Sequence, residues 1–205
     1  MISAALDWIF PPRCGLCGAA GPEAICSVCL GGFERKPVEL LARRGELDYA
    51  AAVFDYSNRA EQAVKRLKYE RITPLAKPMS RLLREHGEAL GLFDVDAIVP
   101  VPIHWQRRFE RGFNQAELLC SELPSNLVKA GLMRRVKATR PQYALTAEQR
   151  EENLRNAFAA DTSGARLLLI DDVFTSGYTA RECARAMKAA GAAQVGLLAF
   201  ASGGA

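Results

Sequence analysis

The sequence predicts an α/β protein: a parallel-sheet domain with a small N-terminal four-cysteine module. Three observations predict it. Two mostly apolar runs, at 95–101 and 167–170, lack the polar–apolar alternation of a half-buried strand, and strands buried on both faces mark a parallel sheet. A helical pattern of Ala180, Cys183, Ala184 and Met187 then leads from the second run to a third at 195–200, so 166–200 reads as a right-handed βαβ unit. Finally, Cys14-Gly-Leu-Cys17 and Cys26-Ser-Val-Cys29 precede the first expected strand. The division falls at 1–45 for module and linker and 46–205 for the parallel-sheet domain.

Composition sets bounds. The 205 residues are 49% hydrophobic, enough for one good-sized core and an appendage. No 18-residue apolar span occurs, so no membrane insertion is expected. The N-terminus lacks the basic start and long apolar core of a secretory signal, which suggests a cytoplasmic protein. The net charge of +4 is too mild to indicate nucleic-acid binding. The cations nevertheless cluster. Arg59, Lys65, Arg66, Lys68 and Arg71 form one group, Arg107, Arg108 and Arg111 a second, and Arg134, Arg135, Lys137 and Arg140 a third. Solvated faces are the plain explanation; a site for a multiply charged anion is the sharper one.

Residues 1–10 form a short amphipathic piece, stopped by Pro11-Pro12. In the two C-x-x-C pairs, separated by eight residues, each pair can put both thiolates on one metal, and four thiolates complete a tetrahedral shell. Structural zinc on Cys14, Cys17, Cys26 and Cys29 is expected; an iron–sulfur cluster or redox dithiols are the alternatives. Cys120 and Cys183 fall on apolar helix faces as core residues. A strand is expected at 49–56. Next comes a helix capped by Asn58 with Glu61 three residues on, burying Ala60, Ala63, Val64 and Leu67 and projecting Lys65, Arg66 and Lys68. A second helix starts at Thr73-Pro74, with Pro78 as a potential kink and His86, near its end, as a solvent-exposed or capping histidine rather than a catalyst. The strand at 95–101 runs into a basic loop with His104, Arg107, Arg108 and Arg111, suited to clamping phosphate groups bidentately. Asn114 and Glu117 form a capping pattern for a helix over 115–123. Residues 124–158 are the least regular, with Thr146 capping a short helix, and suit a closing lid.

The densest chemistry lies at 165–179. The apolar run ends in Asp171-Asp172, and Thr175-Ser176-Gly177-Tyr178-Thr179 opens the next helix. In open α/β sheets ligands sit beyond the carboxyl ends of strands. Unpaired N–H groups and the helix dipole favour a phosphate at that helix N-terminus, while carboxylates accept hydrogen bonds from vicinal sugar hydroxyls. A phosphorylated sugar suits both halves.

These thirteen positions, Leu167 to Thr179, resemble the phosphoribosyl-pyrophosphate (PRPP) motif of type I phosphoribosyltransferases. The resemblance implies that Asp171 and Asp172 bind the ribose hydroxyls, and that Thr175, Ser176, Gly177, Tyr178 and Thr179 bind the 5′-phosphate. Tyr178 departs from the small residue usual there. Further pieces resemble one branch of that family, the ComF-type proteins linked to natural competence: the four-cysteine module, Leu67-Lys68-Tyr69, Ile98 to Pro102, Arg111 to Ala116, Gln142 through Arg150 to Asn153, and Ala157-Phe158. The implied fold is the type I phosphoribosyltransferase fold with a zinc module. An enzyme would bind PRPP with Mg²⁺ and transfer phosphoribose to a nitrogen acceptor such as ammonia or a nucleobase. Arg111 is the first candidate to neutralise the departing pyrophosphate, with Lys68 and Arg140 behind it. A glutamine-dependent amidotransferase is not expected, because the early cysteines are paired and residue 2 is Ile. The alternative is a non-catalytic PRPP- or nucleotide-binding adaptor that contacts single-stranded DNA or a DNA-uptake helicase.

Overall fold

The computed structural model describes residues 11–41, 45–136 and 157–203. Four strands, β1 (Tyr49–Asp55), β2 (Ala97–Pro100), β5 (Arg166–Phe174) and β6 (Gln194–Ser202), form the main sheet. Its order is β1-β6-β5-β2 and every pairing is parallel. A separate antiparallel ribbon pairs β3 (Met133–Arg135) with β4 (Phe158–Ala160). The apolar runs lack alternation because both faces of the sheet are covered. The pleat still divides them: Leu168, Ile170, Leu198 and Phe200 enter one core, and Leu167, Leu169, Leu197 and Ala199 enter the other. The architecture is that of a type I phosphoribosyltransferase-like α/β domain with an N-terminal four-cysteine module.

The described helices are α1 (Ser27–Gly31), α2 (Asn58–Tyr69), α3 (Ala76–Ala89), α4 (Trp105–Arg111), α5 (Gln115–Leu118) and α6 (Tyr178–Ala189). On the first face α2 buries Ala60, Ala63, Val64 and Leu67, at the spacing one helical stripe requires. α3 adds Met79 and Leu83. Cys14, Leu16, Ile25 and Phe33 of the cysteine module join that same core. Phe33 lies 4.9 Å from Phe54 of β1, which lies 5.1 Å from Phe200 of β6, ring centre to ring centre. Arg66 of α2 also donates to the Gly15 carbonyl at 2.8 Å. On the second face α6 buries Ala180, Cys183, Ala184 and Met187, beside Met133 and Phe158 of the ribbon. Gly191 follows α6 in the left-handed region, φ 91°, where it costs no Cβ clash. Among the described residues no helix is long and apolar enough to cross a membrane.

The structure departs from the sequence expectations in several places. β5 does not stop at the acids but runs through Asp171 and Asp172 to Phe174. Asn58 and Glu61 form no capping box. Asn58 instead donates to Glu34 at 2.6 Å, as Ser57 does at 2.8 Å, and Glu61 pairs with Lys65 at 2.7 Å. α3 begins after a 3₁₀ turn at Thr73–Leu75, which places Pro78 in its first turn, where no intrahelical donor is lost. The helix at 115–123 is only Gln115–Leu118, with Asn114 Oδ1 capping the Ala116 N–H at 3.1 Å. His86 is buried rather than exposed, 4% accessible, and its Nε2 has no partner among the described residues. Pro100 lies within β2, at the sheet edge. Ile98 donates outward to the Leu127 carbonyl, so Pro100, two residues on, also turns its nitrogen away from β5 and breaks no ladder bond. Residues 1–10, the Thr146 turn, Gln142 to Asn153 and Arg140 lie outside the described residues.

Candidate functional site

A cavity of about 600 Å³ opens at the carboxyl edge of the sheet. Tyr56 after β1, Val101 to Ile103 after β2, and Asp171 to Phe174 at the end of β5 form its floor and walls. Thr175, Ser176, Gly177, Tyr178 and Thr179 close one end, and Lys68, Tyr69, Arg71, Arg107, Glu110, Arg111, Gln115 and Arg135 surround the rest. The structure therefore brings together Lys68, Arg111, the acidic pair and the whole 175–179 turn. Arg140 is not among the described residues, and Arg108 turns away to pair with Glu117 at 2.6 Å.

The acidic pair is the centre. Asp171 and Asp172 are 8% and 2% accessible. The Lys68 ammonium pairs with Asp172 Oδ2, and Gln115 donates to Asp172 Oδ1 at 3.4 Å. Arg111 in turn donates to the Gln115 side-chain oxygen and lies over the Tyr69 ring at 5.9 Å. Asp171 Oδ1 accepts from the Asp172 backbone N–H at 2.9 Å. This geometry separates the two acids chemically. Burial, then the neighbouring Asp172 charge, pushes Asp171 well above the usual carboxylate range. Burial also opposes charge on Asp172, but Lys68 outweighs it and holds Asp172 below that range. For Lys68 burial opposes the charge too, yet Asp172 and then Asp171 raise its pKa. Protonation is thus favoured at Asp171 and ionisation at Asp172, whose carboxylate meets the Lys68 ammonium.

The cations reach the cavity for local reasons. Lys68 follows Leu67, the last residue of the buried stripe of α2, so its stem is covered while its tip reaches across to β5. Arg111 ends α4, and Gly112, in the left-handed region at φ 87°, lets the chain reverse into α5 and seats Gln115 beneath it. Gly177 precedes α6 at φ 72°, and a Cβ there would sit 2.9 Å from the Phe174 ring. Only glycine satisfies both constraints. The first-turn N–H groups of a helix have no intrahelical partner, and Tyr178, Thr179 and Ala180 of the first turn of α6 line the cavity. Tyr178 stacks under the Arg181 guanidinium at 4.5 Å.

Three cavity residues were not singled out from the sequence. Gln115 was visible in the Arg-Gly-Phe-Asn-Gln block, but nothing marked it as the bridge between Arg111 and Asp172. Arg71 and Arg135 were noted only as members of basic clusters. Arg135 lies over Phe158 at 5.4 Å, and burial, then Arg107, lowers its guanidinium to about 10. No sequence signal separates it from Arg134.

Away from the cavity, the sulfur atoms of Cys14, Cys17, Cys26 and Cys29 all lie within 4.8 Å of one another, with Cys17 and Cys26 at 3.7 Å. Four sulfurs about 2.3 Å from one zinc are about 3.8 Å apart, so the set fits a single tetrahedral ion. The N–H groups of Leu16 and Cys26 both point at Cys14 Sγ, at 3.4 Å. Burial disfavours the Cys14 thiolate, but those donors win and lower its pKa to about 6. A thiolate is the form that binds metal.

Residues 5–39 match the double zinc ribbon domain. The chain is 35% identical over 193 residues to DNA utilization protein YhgH of Salmonella typhimurium, covering 90% of this chain and 80% of that one. It is 29% identical to competence protein F of Haemophilus influenzae, over 90% of this chain and 82% of that protein. With competence protein ComFC of Bacillus subtilis the identity is 25%, over 85% and 70%. With a four-cysteine zinc ribbon ahead of a parallel-sheet domain, and relatives alike over most of their length, the chain belongs to the ComF family of competence and DNA-utilization proteins.

Proposed function

We propose that the cavity binds PRPP and transfers its phosphoribosyl group to a nitrogen acceptor, releasing pyrophosphate, in the service of DNA uptake or utilization in the cytoplasm. One observation carries this: a buried acidic pair at the end of β5 and a glycine-pinned turn into α6 share one cavity with five cationic side chains. The 175–179 turn suits the 5′-phosphate. Asp171 and Asp172 suit the two ribose hydroxyls. A protonated Asp171 can both donate and accept, whereas an ionised Asp172 only accepts. Arg111, with Arg107, suits the diphosphate and the charge that develops on it as the bond to the anomeric carbon breaks, while Lys68 faces the same cavity from its pair with Asp172.

Magnesium is the expected companion of the diphosphate. The acidic pair does not fit a metal. A hard divalent ion takes ionised oxygen donors; burial and the neighbouring Asp172 charge favour the protonated form of Asp171, and Asp172 already carries Lys68. No step here runs through the ion.

The test is calorimetry with PRPP, followed by a pyrophosphate-release assay with ammonia and nucleobases. Binding with release is expected for the wild type, and Asp171→Asn with Asp172→Asn should abolish both. A wild type that gives no heat with PRPP sinks the proposal.

A second function, as an adaptor for single-stranded DNA or a DNA-uptake helicase, is favoured by a different observation. Trp105 and Phe109, one turn apart on α4, are 67% and 88% exposed, and the same helix carries Arg107, Arg108 and Arg111. Exposed aromatics beside arginines suit base stacking with phosphate contacts. The relatives' names, DNA utilization protein and competence protein, agree with such a setting. Trp105→Ala with Phe109→Ala should weaken oligonucleotide binding while leaving PRPP binding intact.

A further inference from the structure

Lys68, Arg71, Arg107, Arg111 and Arg135 line the cavity against three carboxylates, Glu110, Asp171 and Asp172. The two acids at its base are already engaged from within the chain. The Lys68 ammonium sits on Asp172 Oδ2, Gln115 donates to Asp172 Oδ1, and Asp171 Oδ1 accepts the Asp172 N–H. The Lys68 side chain is only 20% exposed, so water screens this pair weakly. A second cation brought to contact with Asp172 would meet an ammonium already there. Lysine is suited to such a post, since its charge is compact and its stem flexible.

Resting on the PRPP-binding function proposed above, we propose that Lys68 replaces a divalent cation at the acidic pair, so that the sugar diphosphate binds as the metal-free anion, its phosphates held by the surrounding arginines. The opposite shifts of the two acids support the same arrangement: burial disfavours the charge on Asp171, and Lys68 prevails over burial at Asp172. The Lys68 ammonium then meets the Asp172 carboxylate, and Arg71, Arg107 and Arg111 line the same cavity for the ligand's charge. The ligand's ribose hydroxyls can reach Asp171 without a metal bridge.

The experiment is calorimetric titration of the full zinc-loaded chain with PRPP. Buffer freed of divalent ions by passage over chelating resin is compared with the same buffer plus Mg²⁺; a dissolved chelator would attack the cysteine site. The wild type is expected to bind with affinities within about twofold in the two buffers. Lys68→Met is expected to lose about tenfold or more without Mg²⁺, some 1.4 kcal/mol, and to regain most of it when Mg²⁺ is added. Mn²⁺ alone should bind Lys68→Met but give no heat with the wild type. A wild type that binds PRPP only with Mg²⁺ overturns the role of Lys68 and leaves PRPP binding standing. Wild type and Lys68→Met behaving alike in both buffers overturns it as well. No binding of PRPP in either buffer removes both proposals together. Should Lys68→Met fail to fold, as judged by circular dichroism, the two wild-type titrations decide alone.

Discussion

In the cysteine module the four donors come from one stretch, residues 14–29, and local turns bring them together. In the cavity the charged groups come from α2, α4, β3 and β5, and from residues between them, so nothing short of the folded sheet assembles them. The module concentrates four sulfurs that repel one another as thiolates, and a metal relieves that repulsion. The cavity concentrates cations around a buried acidic pair and balances part of the charge internally, through Lys68. One site is completed by an ion from outside; the other carries its own. The two are also fastened to each other, since the module's apolar residues share a core with α2, the helix that delivers Lys68.

The comparison can be broken most forcefully at the metal. Zinc contributes on the order of 10 kcal/mol to isolated zinc-finger modules, so stripping it with a strong chelator should produce the largest effect on this chain. A clear fall in the thermal midpoint is expected, restored by stoichiometric Zn²⁺ and absent in Cys14→Ser, which should start low. An unchanged melt would mean that the module is held by packing alone.

The acidic pair offers the next largest effect, and an asymmetric one. Asp172→Asn leaves the buried Lys68 ammonium without its partner, and breaking a buried pair from one side costs about 3 kcal/mol or more. Asp171→Asn replaces a carboxyl whose charge burial disfavours with an amide of similar shape, and should cost less, on the order of 1 kcal/mol. Urea denaturation at pH 7 measures both. Equal losses would mean that the pair shares its charge evenly.

Arg66→Met probes the fastening itself. It removes a charged donor to the Gly15 carbonyl, and a hydrogen bond to a charged group contributes about 1.5–3 kcal/mol. The lower end is expected here, because the Arg66 side chain is 29% exposed. The variant should lower stability without weakening PRPP binding.

The smallest effect is the pH response of His86. Burial, then the Arg35 charge, lowers its pKa, so the folded chain holds the imidazole neutral while the unfolded chain takes up a proton near pH 6.5. Its contribution is therefore fully present above that pH and is lost as pH falls toward the lowered folded value. The slope cannot exceed that of one proton, about 1.4 kcal/mol per pH unit. Denaturation midpoints between pH 5 and pH 7 should fall less steeply in His86→Gln than in the wild type.

Three adjacent cations show how much of the site was legible in the sequence. Lys65, Arg66 and Lys68 stand together on α2, and sequence alone assigns all of them to its polar face. In the structure Lys65 pairs with Glu61 in solvent, Arg66 crosses to the cysteine module, and Lys68 turns inward to Asp172. Helical spacing tells which positions are buried; it does not tell what lies opposite the edge of the stripe. Arg134 and Arg135 differ in the same way, because in a strand neighbours face opposite sides. The capping pattern at Asn58 and Glu61 failed for a related reason. Glu34, far away in sequence, outcompeted the local partner.

By itself the sequence determined the elements whose signals are local. The unbroken apolar runs point to strands covered on both faces, the cysteine spacing suits one shared metal, and the acids late in β5 with the glycine and hydroxyls ahead of α6 mark the place to look for a ligand. Only the tertiary structure decided which cations meet the acids, that Gln115 links Arg111 to Asp172, and that the pKa values of the two acids are pushed in opposite directions. Those outcomes depend on burial and on distances between residues far apart in the chain. Both arise when the sheet brings β2 and β5 side by side and α2 packs across its face, and no short-range pattern encodes them.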